Sequence, residues 1–225
     1  AVCLLYQGAQ PPVLIALEQT QTQALQWLVA NLAPKLPDRV YCHMNLELKS
    51  ALHGFQTQTH GEHLRMQLSD STQIASAPTV GYQCRILAPT DATSALQFYE
   101  QHYPGHWFEP RMLETGFYVA LIDVVDPSSP QSAQRYIALA GVHTVSEEQS
   151  VAALGNIVVH ERYRGQSLGK VVTGFLCSLL APRFEFIGLN VKADNVAAIC
   201  CYQSLGFVRV ASFEELMAER AFVRS

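Results

Sequence analysis

Apolar residues between positions 151 and 206 follow two different spacings. Two short runs are almost continuously apolar, which is the pattern of strands buried on both faces. After each run the apolar residues return at helical spacing, which is the pattern of a helix with one buried face. The predicted elements are a strand at 151–159, a helix at 168–180 that ends before Pro182, a strand at 186–191, and a helix at 195–205 that Gly206 closes.

Shorter patterned stretches lead up to this region from Gly81. They include a helix capped by Asp91 and carrying Ala95, Phe98 and Tyr99 on one side. Together with the later elements they give the order strand, helix, helix, three strands, helix, strand, helix, strand over residues 82–214. The earlier elements of this set are a strand at 82–87, the capped helix, a short helix at 110–114, and strands at 117–122 and 136–143 joined by a loop around 126–130.

The first part of the chain carries weaker patterns and ends in a stretch of small and polar residues typical of a linker. We therefore divide the chain into an N-terminal α/β half at 1–75, a linker at 76–80 and a second domain at 81–225. The predicted elements of the first half are strands at 2–6 and 13–17, a helix over 24–32 capped by Thr20 or Thr22, a strand at 40–44, a helix at 46–55 and a strand at 62–68.

Composition narrows the class of protein. The 225 residues are 49% hydrophobic and only 15% charged, so a sizeable core is available. The net charge of −4 is spread without long runs, and we expect no nucleic-acid partner. No apolar stretch is long enough to span a membrane. The six irregularly spaced cysteines are typical of reduced core residues, so we expect a cytoplasmic protein and leave homodimer formation open.

Two further expectations come from single features. His53, His60 and His63 lie close together, but no carboxylate accompanies them at a typical ligand spacing, so we expect no metal site. The chain starts at Ala1 without an initiating Met, and we expect residues of the natural protein to precede it.

The turn at 164–170 is the main candidate for binding chemistry. It joins the strand at 151–159 to the N-terminus of a helix, where unpaired N–H groups and the helix dipole favour an anion such as phosphate. A Walker loop needs four residues between its glycines and a hydroxyl after the Lys, but only three separate Gly165 from Gly169, and Val171 follows Lys170. The dinucleotide motif G-x-G-x-x-G is also absent.

The same turn resembles the pyrophosphate loop of the GNAT superfamily of N-acetyltransferases, Q/R-x-x-G-x-G/A. Residues 164–169 match it except that Ser167 replaces the inner glycine. The run from Leu189 to Phe207 is similar to the family's L-x-V-x-x-x-N-x-x-A-x-x-x-Y-x-x-x-G-F signature without a gap. The resemblance implies a GNAT fold, α/β in class, with a mixed and mainly antiparallel sheet flanked by helices. The first half could be a degenerate GNAT-like copy, as in glycine N-acyltransferase-like members.

The resemblance also implies a binding site for acetyl-CoA or another acyl-CoA. In the family, the strands that correspond to 151–159 and 186–191 separate to admit the pantetheine arm. Backbone amides of the loop would hold the pyrophosphate, and an N–H near Val158 would polarise the thioester carbonyl. The residues assigned to the cofactor are Ile157, Val158, Val159, Arg164, Gly165, Gln166, Ser167, Leu168, Gly169, Lys170, Asn195, Ala198 and Tyr202.

Tyr202 is the candidate general acid, since a phenol can protonate a departing thiolate. Many family members place a glutamate on the strand before the loop, but here that strand carries only Asn156. Candidate bases are therefore His143 and Glu109, with His106 and deprotonation through ordered water as alternatives. Two functions stay open: an N-acyltransferase acting on a small-molecule amine or amino acid, and a non-catalytic acyl-CoA sensor.

Overall fold

A computed structural model describes residues 1–18, 20–74, 81–124 and 136–221. The predicted linker at 76–80 and the loop around 126–130 lie outside these ranges. The described residues form the strands β1 Leu4–Tyr6, β2 Val13–Ala16, β3 Arg39–Met44, β4 Phe55–Leu68, β5 Tyr82–Ile86, β6 Val119–Asp123, β7 Tyr136–Ser146, β8 Val151–Val159, β9 Phe186–Lys192 and β10 Phe207–Arg220, and the helices α1 Thr22–Leu32, α2 Ala92–His102, α3 Leu168–Leu180 and α4 Val196–Gln203.

The chain divides into two compact units that interleave along the sequence. The first unit contains residues 1–65, 191–195 and 209–225, and the second contains 66–190 and 196–208. This division differs from the predicted one, in which 81–225 forms a single domain. The physical reason is that β10 runs antiparallel beside β3, from Glu214–Met44 to Glu219–Arg39, so its backbone hydrogen bonds join it to the first unit.

In the first unit the strands follow the order β1-β2-β3-β10-β4. β1 and β2 form the predicted antiparallel pair, whereas β2 and β3 are parallel and α1 connects them. Leu25 and Val29 of α1 are fully buried in a core that also contains Val40, Cys42 and Met44 of β3. Alternate residues of β3 supply that core, as expected for a strand with one buried face.

In the second unit the strands follow the order β9-β8-β7-β6-β5. β5 through β8 are antiparallel neighbours, while β8 and β9 are parallel and α3 forms the crossover between them. α3 packs on β6, β7 and β8 through one side of the helix, because its apolar residues recur at helical spacing. The buried residues of α3 are Leu168, Val172, Thr173, Gly174, Leu176, Cys177 and Leu180.

Most predicted elements are present, and the strand at 151–159 and the helix at 168–180 match the structure residue for residue. Other bounds and element types differ; the helix predicted at 195–205, for example, is Val196–Gln203. Residues 46–51 form a 3₁₀-helix rather than an α-helix, and β4 starts at Phe55, seven residues before the predicted start at residue 62. Neither Thr20 nor Thr22 caps α1: Gln21 occupies the N-cap position and makes no side-chain capping bond, so α1 begins without that support.

Candidate active site

The turn between β8 and α3 has the geometry of an anion-binding loop. Gly165 and Ser167 both adopt left-handed backbone conformations, with φ of 77° and 59°. Among the described residues, the backbone N–H groups of the five residues from Gly165 to Gly169 donate no hydrogen bond. The side chains from Arg164 to Ser167 are exposed. The turn therefore presents consecutive free donors at the positive end of a helix, as the sequence predicts.

The side chains of Arg164 and Ser167 both affect the conformation of this loop. The Nε of Arg164 donates to the backbone oxygen of Val159 at 3.1 Å, which ties the start of the loop to the end of β8. Ser167 stands at the N-cap of α3 in the left-handed region, where its side chain makes no capping hydrogen bond. A non-glycine residue costs about 1–2 kcal/mol in this conformation, so the replacement of the family's inner glycine leaves strain in the loop.

β8 and β9 are paired over only part of their length. Their pairs run from Val151–Phe186 to Leu154–Leu189, and among the described residues no pair follows. From Gly155 to Val159 the ladder of β8 continues with β7 alone. The edge of β8 that includes Ile157, Val158 and Val159 is thus left without a paired strand directly beside the free amides of the loop. The separation implied by the resemblance is present in the backbone pairing.

The ladder between β7 and β8 contains two irregularities at this point. Leu139 pairs with Val158 and Gly141 with Gly155, so β8 has an extra residue at Asn156–Ile157. A second shift places the extra residue His143 on β7. Asn156 has φ of 52° and is buried. Such bulges redirect side chains and backbone groups, and they are common next to active sites.

Asn156 is the centre of a buried hydrogen-bond network. The Tyr99 hydroxyl donates to the backbone oxygen of Asn156 at 2.8 Å, and the side-chain Nδ2 of Asn156 donates to the Tyr118 hydroxyl at 2.9 Å. The Trp107 backbone N–H donates to Oδ1 of Asn156 at 3.3 Å. Burial raises the pKa of Tyr118 to about 12, and it raises the pKa of Tyr99 well above its ordinary value. Both phenols are therefore neutral near pH 7.

The sequence prediction did not include this network. Tyr99 comes from α2, the Trp107 backbone from the loop after α2, and Tyr118 directly precedes β6, so their convergence depends on how these segments pack. One signal was present in the sequence: Asn156 is a polar residue inside an apolar strand pattern, and buried polar groups need partners.

His143 lies against the bulge of β8. A Cβ at Gly155 would meet the His143 ring at 2.2 Å, so the imidazole covers the glycine backbone directly. In the burial pattern of β7, His143 is an exposed residue. Burial lowers the pKa of His143, and the nearby Asn156 side chain partly opposes that effect. The His143 ring thus lies over Gly155 of β8, and its lowered pKa keeps it neutral near pH 7.

Tyr202 lies in α4 with only 8% of its surface exposed. Burial, followed by the neighbouring Cys201, raises its pKa, so the phenol stays protonated near neutral pH. Among the described residues its hydroxyl makes no hydrogen bond. Ala198 lies one turn earlier in α4, and Asn195, directly before the helix, donates its N–H to the Lys192 carbonyl at 3.0 Å. No described group therefore occupies the hydroxyl of Tyr202.

Gly206 ends the turn that follows α4, and two observations explain why a glycine stands there. Its φ is 92°, in the left-handed region expected for a glycine that closes a helical segment. An added Cβ would also lie 2.2 Å from the backbone oxygen of Asp70, while the oxygen of Gly206 accepts a hydrogen bond from the Ser69 N–H at 3.0 Å. The glycine of the G-F signature thus allows the chain after β4 to pass close to the end of α4.

The other two candidate bases, Glu109 and His106, are engaged by neighbouring residues. Glu109 pairs with Arg111 at 2.6 Å, and both side chains are more than half exposed. The Nδ1 of His106 accepts a hydrogen bond from the Phe108 backbone N–H at 3.2 Å, which occupies one ring nitrogen. His143 is the candidate base that the structure brings into contact with β8.

A second titratable cluster lies at the start of the loop. The Nδ1 of His102, at the end of α2, is 2.9 Å from a carboxylate oxygen of Glu161, and His160 lies beside both. These three side chains could hold a metal ion. The rings of His102 and His160 pack at 4.2 Å between centroids, however, and Nδ1 of His160 accepts from the Arg162 N–H at 3.2 Å. The observed contacts fasten α2 to the segment that leads into the loop.

None of the helices in the described part of the chain has both the length and the apolar character that a membrane crossing requires. All six cysteines are free.

Comparison with solved structures identifies the same fold in other proteins. A GNAT-family protein from Novosphingobium aromaticivorans aligns with 86% of this chain and 80% of its own, at 20% identity and a TM-score of 0.61. A GNAT-family acetyltransferase from Colwellia psychrerythraea aligns over 90% and 75%, at 16% identity and a TM-score of 0.59. A tandem GNAT protein from the clavulanic acid biosynthesis pathway aligns over 91% and 72%, at 15% identity and a TM-score of 0.60. No curated protein sequence matches this chain.

These likenesses confirm the predicted GNAT fold, with its mixed sheet flanked by helices. The family profile described as "Acetyltransferase (GNAT) family" matches residues 84–207, which is more than half of the chain and includes the loop, the separated strands and Tyr202. The chain therefore belongs to the GNAT family of acetyltransferases, which use acetyl-CoA as co-substrate.

Proposed function

We propose that this protein transfers an acetyl or other short acyl group from acyl-CoA to the primary amine of a small molecule or amino acid. The amine attacks the thioester directly, within a ternary complex. The observation that carries the proposal is the end of β8–β9 pairing at Leu154–Leu189, next to the five free amides from Gly165 to Gly169. An opening between parallel strands beside an anion site suits a long ligand with a phosphate end and an amide-rich arm.

The backbone groups without hydrogen-bond partners, in the loop and along the unpaired edge of β8, suggest where acyl-CoA would bind. The amides of the loop, with Arg164 and Lys170 adding positive charge, would bind the pyrophosphate. The pantetheine arm would lie along the unpaired edge of β8 and exchange backbone hydrogen bonds with Ile157 to Val159. A backbone N–H near Val158 would then stabilise the oxyanion of the tetrahedral intermediate.

Proton transfers complete the reaction. The attacking amine forms a C–N bond to the thioester carbon, and the C–S bond breaks when the resulting tetrahedral intermediate collapses; the proton that the nitrogen loses must reach a base. His143 is the proposed base, because its lowered pKa keeps it neutral at pH 7 and it lies exposed beside the bulge. Tyr202 is the proposed acid, because its raised pKa keeps it protonated and its hydroxyl is free to donate to the leaving sulfur.

The acceptor would bind in the region between α2 and β6. Trp107 holds Asn156 through its backbone while 57% of its side chain is exposed, and Tyr103 is 43% exposed. Exposed aromatic side chains next to a catalytic strand suit the apolar part of a small amine. The proposed partners are accordingly small molecules. Cytoplasmic location, absence of nucleic-acid and membrane partners, and homodimer formation remain predictions from the sequence.

We also propose that the first unit is a degenerate copy of the second. It repeats the arrangement of strand, helix and parallel strand in β2, α1 and β3. Its parallel pair stays together up to Ala16–Met44, however, and Asn45 donates a further backbone bond to Ala16 at 3.3 Å. α1 also begins without a glycine-bearing turn. The copy offers no opening for pantetheine, so one acyl-CoA should bind per chain.

The test is a pair of measurements on the full chain. Calorimetry with acetyl-CoA should give one site per chain, and an assay of free CoA release against a panel of primary amines should find turnover. Binding without turnover on any amine would favour the alternative, a non-catalytic acyl-CoA sensor, which the absence of a carboxylate on β8 also supports. Absence of binding would refute both functions.

A further inference from the structure

Two imidazoles and a carboxylate meet where α2 ends and the segment that leads into the loop begins. His102 is the last residue of α2, and His160 and Glu161 directly follow β8. The contact between His102 and Glu161 joins positions that are 59 apart in the sequence, within the second unit. The acyl transfer proposed above uses none of these three side chains, so the cluster is a candidate for a separate role.

Both imidazoles approach the same carboxylate oxygen. Nδ1 of His102 lies 2.9 Å from Oε2 of Glu161, and Nδ1 of His160 lies 3.7 Å from that atom. The three atoms all lie within 4.8 Å of one another. Ligand atoms at about 2.0–2.1 Å from a tetrahedral zinc ion are about 3.3–3.4 Å apart. The two distances to Oε2 lie on either side of that value, so rotations of the side chains can bring all three atoms onto one ion.

The state of His160 suits a metal ligand. The Arg162 backbone N–H, which can only donate, lies 3.2 Å from Nδ1 of His160, so this nitrogen carries a lone pair. Metal ions bind imidazole in that unprotonated form. The lone pair and the carboxylate oxygen are two acceptors 3.7 Å apart, which is too far for a hydrogen bond. A cation between them would attract both groups.

The other contacts of the cluster are compatible with an ion. The rings of His102 and His160 pack at 4.2 Å between centroids while both direct Nδ1 to the carboxylate. The bond from the Arg162 N–H is at the long end of the usual range, and Arg162 is exposed, so water can replace it. The side chains of His102, His160 and Glu161 are 12%, 25% and 51% exposed, which leaves space for water as a fourth ligand.

We propose that a divalent ion of the zinc type binds to His102, His160 and Glu161 and joins the end of α2 to the segment that leads into the loop. Imidazole with carboxylate suits Zn²⁺, Co²⁺ and Ni²⁺, whereas Mg²⁺ and Ca²⁺ prefer oxygen ligands. In the bound form Nδ1 of His102 contacts the ion, and Nε2 carries the ring hydrogen. The site is separate from the three histidines of the first unit for which the sequence predicts no metal.

The experiment measures Zn²⁺ binding to the full chain by calorimetry and records the spectrum of bound Co²⁺. The cluster variants are His102→Gln, His160→Asn and Glu161→Gln. The matched control is His53→Gln, because His53 is an exposed histidine outside the cluster. The parent chain and all variants carry Cys200→Ser, since Cys200 is an exposed free thiol and thiolates bind Zn²⁺.

Two of the cluster variants keep the local structure. The Asn side chain in His160→Asn retains an oxygen that can accept from the Arg162 N–H, as Asn does at helix N-caps. Glu161→Gln keeps the size of the side chain and removes its charge. Thermal unfolding of each variant in a chelator gives its stability without the ion, so a loss of binding can be separated from a loss of folding.

The parent chain should bind one Zn²⁺. Each cluster variant should bind it at least about 10- to 100-fold more weakly, since loss of a group that merely orients a ligand already has that effect. At free Zn²⁺ about 100-fold above its Kd, Tm of the parent should rise by about 5–10 °C. His53→Gln should match the parent in both measurements, and bound Co²⁺ should show no sulfur charge-transfer band.

Absence of Zn²⁺ binding to the parent chain would overturn the inference. So would equal affinity in the parent and the folded cluster variants, because the ion would then bind elsewhere on the chain. A sulfur band in the Co²⁺ spectrum, or a loss in His53→Gln as large as in Glu161→Gln, would overturn it too. The measurements use neither acyl-CoA nor an amine, so their outcome is independent of the proposed function.

Discussion

Gly155→Ala tests whether the position of the His143 imidazole limits turnover. The new Cβ would lie 2.2 Å from two ring atoms of His143 and 2.4 Å from a third. Cβ contacts below 3.0 Å are essentially never found, so the ring has to retreat by at least about 0.8 Å. Because His143 is exposed, it can move into solvent at little cost in stability. A misplacement of about 1 Å in a catalytic group can reduce the rate about 100-fold.

Gly141→Ala is the matched control, since Gly141 pairs with Gly155 on the neighbouring strand. Its Cβ would also lie 2.2 Å from a ring, but that ring belongs to Tyr118, which is fully buried. The buried Tyr118 ring can therefore move only by displacing the residues packed around it. We expect about 1–3 kcal/mol of destabilisation from overpacking, and about 1 kcal/mol more if the Tyr118 hydroxyl loses its partner.

The assays are urea unfolding and steady-state kinetics on both variants. Gly155→Ala should unfold within about 0.5 kcal/mol of the wild type, as surface changes usually do, while kcat falls about 10- to 100-fold and acetyl-CoA affinity is retained. Gly141→Ala should lower Tm by several degrees, at about 2–4 °C per kcal/mol. Wild-type kcat in Gly155→Ala, with the ring visibly displaced, would exclude His143 as the base. Equal destabilisation in both variants would refute the difference in freedom between the two rings.

Three further predictions concern other parts of the second unit. Tyr202→Phe should lower kcat by about 10²–10⁴-fold with little change in the Kd for CoA, and unchanged turnover for every active amine would refute the acid assignment. Ser167→Gly relieves the strain of the left-handed backbone at this position. We expect urea unfolding to show a free energy of unfolding that is higher by about 0.5–1 kcal/mol, and calorimetry to show acetyl-CoA binding at least as tight as in the wild type. Asp91→Asn should cost about 1–3 kcal/mol near pH 7, because Asp91 accepts two hydrogen bonds from Arg85 at 2.8 and 2.9 Å. Arg85 lowers the pKa of Asp91 below 3.8, so the wild type should lose this advantage only as the pH falls through that lowered value, and an equal deficit at pH 2 and pH 7 would contradict the assignment.

The loop could be predicted from sequence because its determinants are local. A glycine-bearing turn between an apolar run and a helical pattern defines the free amides by chain geometry alone, and the signature from Leu189 to Phe207 adds the second strand and α4. The bounds of β8 and α3 could be predicted for the same reason. The apolar pattern continues without interruption through Val151–Val159 and through Leu168–Leu180.

The remaining features depend on contacts between distant segments. The environment of Asn156 combines groups from α2, from the loop after it and from the residue before β6, and no spacing within the sequence predicts that Tyr99 and Tyr118 meet there. The pairing of β10 with β3 joins residues that are 170 to 180 positions apart, from Glu214–Met44 to Glu219–Arg39.

That pairing has a practical consequence for dissecting the protein. The chain passes between its two units at residues 65–66, 190–191, 195–196 and 208–209, so no single cleavage separates them. A fragment that starts at residue 81 would carry β10 without β3, leaving a strand edge open to aggregation. Co-expression of residues 1–75 and 81–225 as separate polypeptides should instead restore the missing partner strand, and it offers a way to recover each half in soluble form.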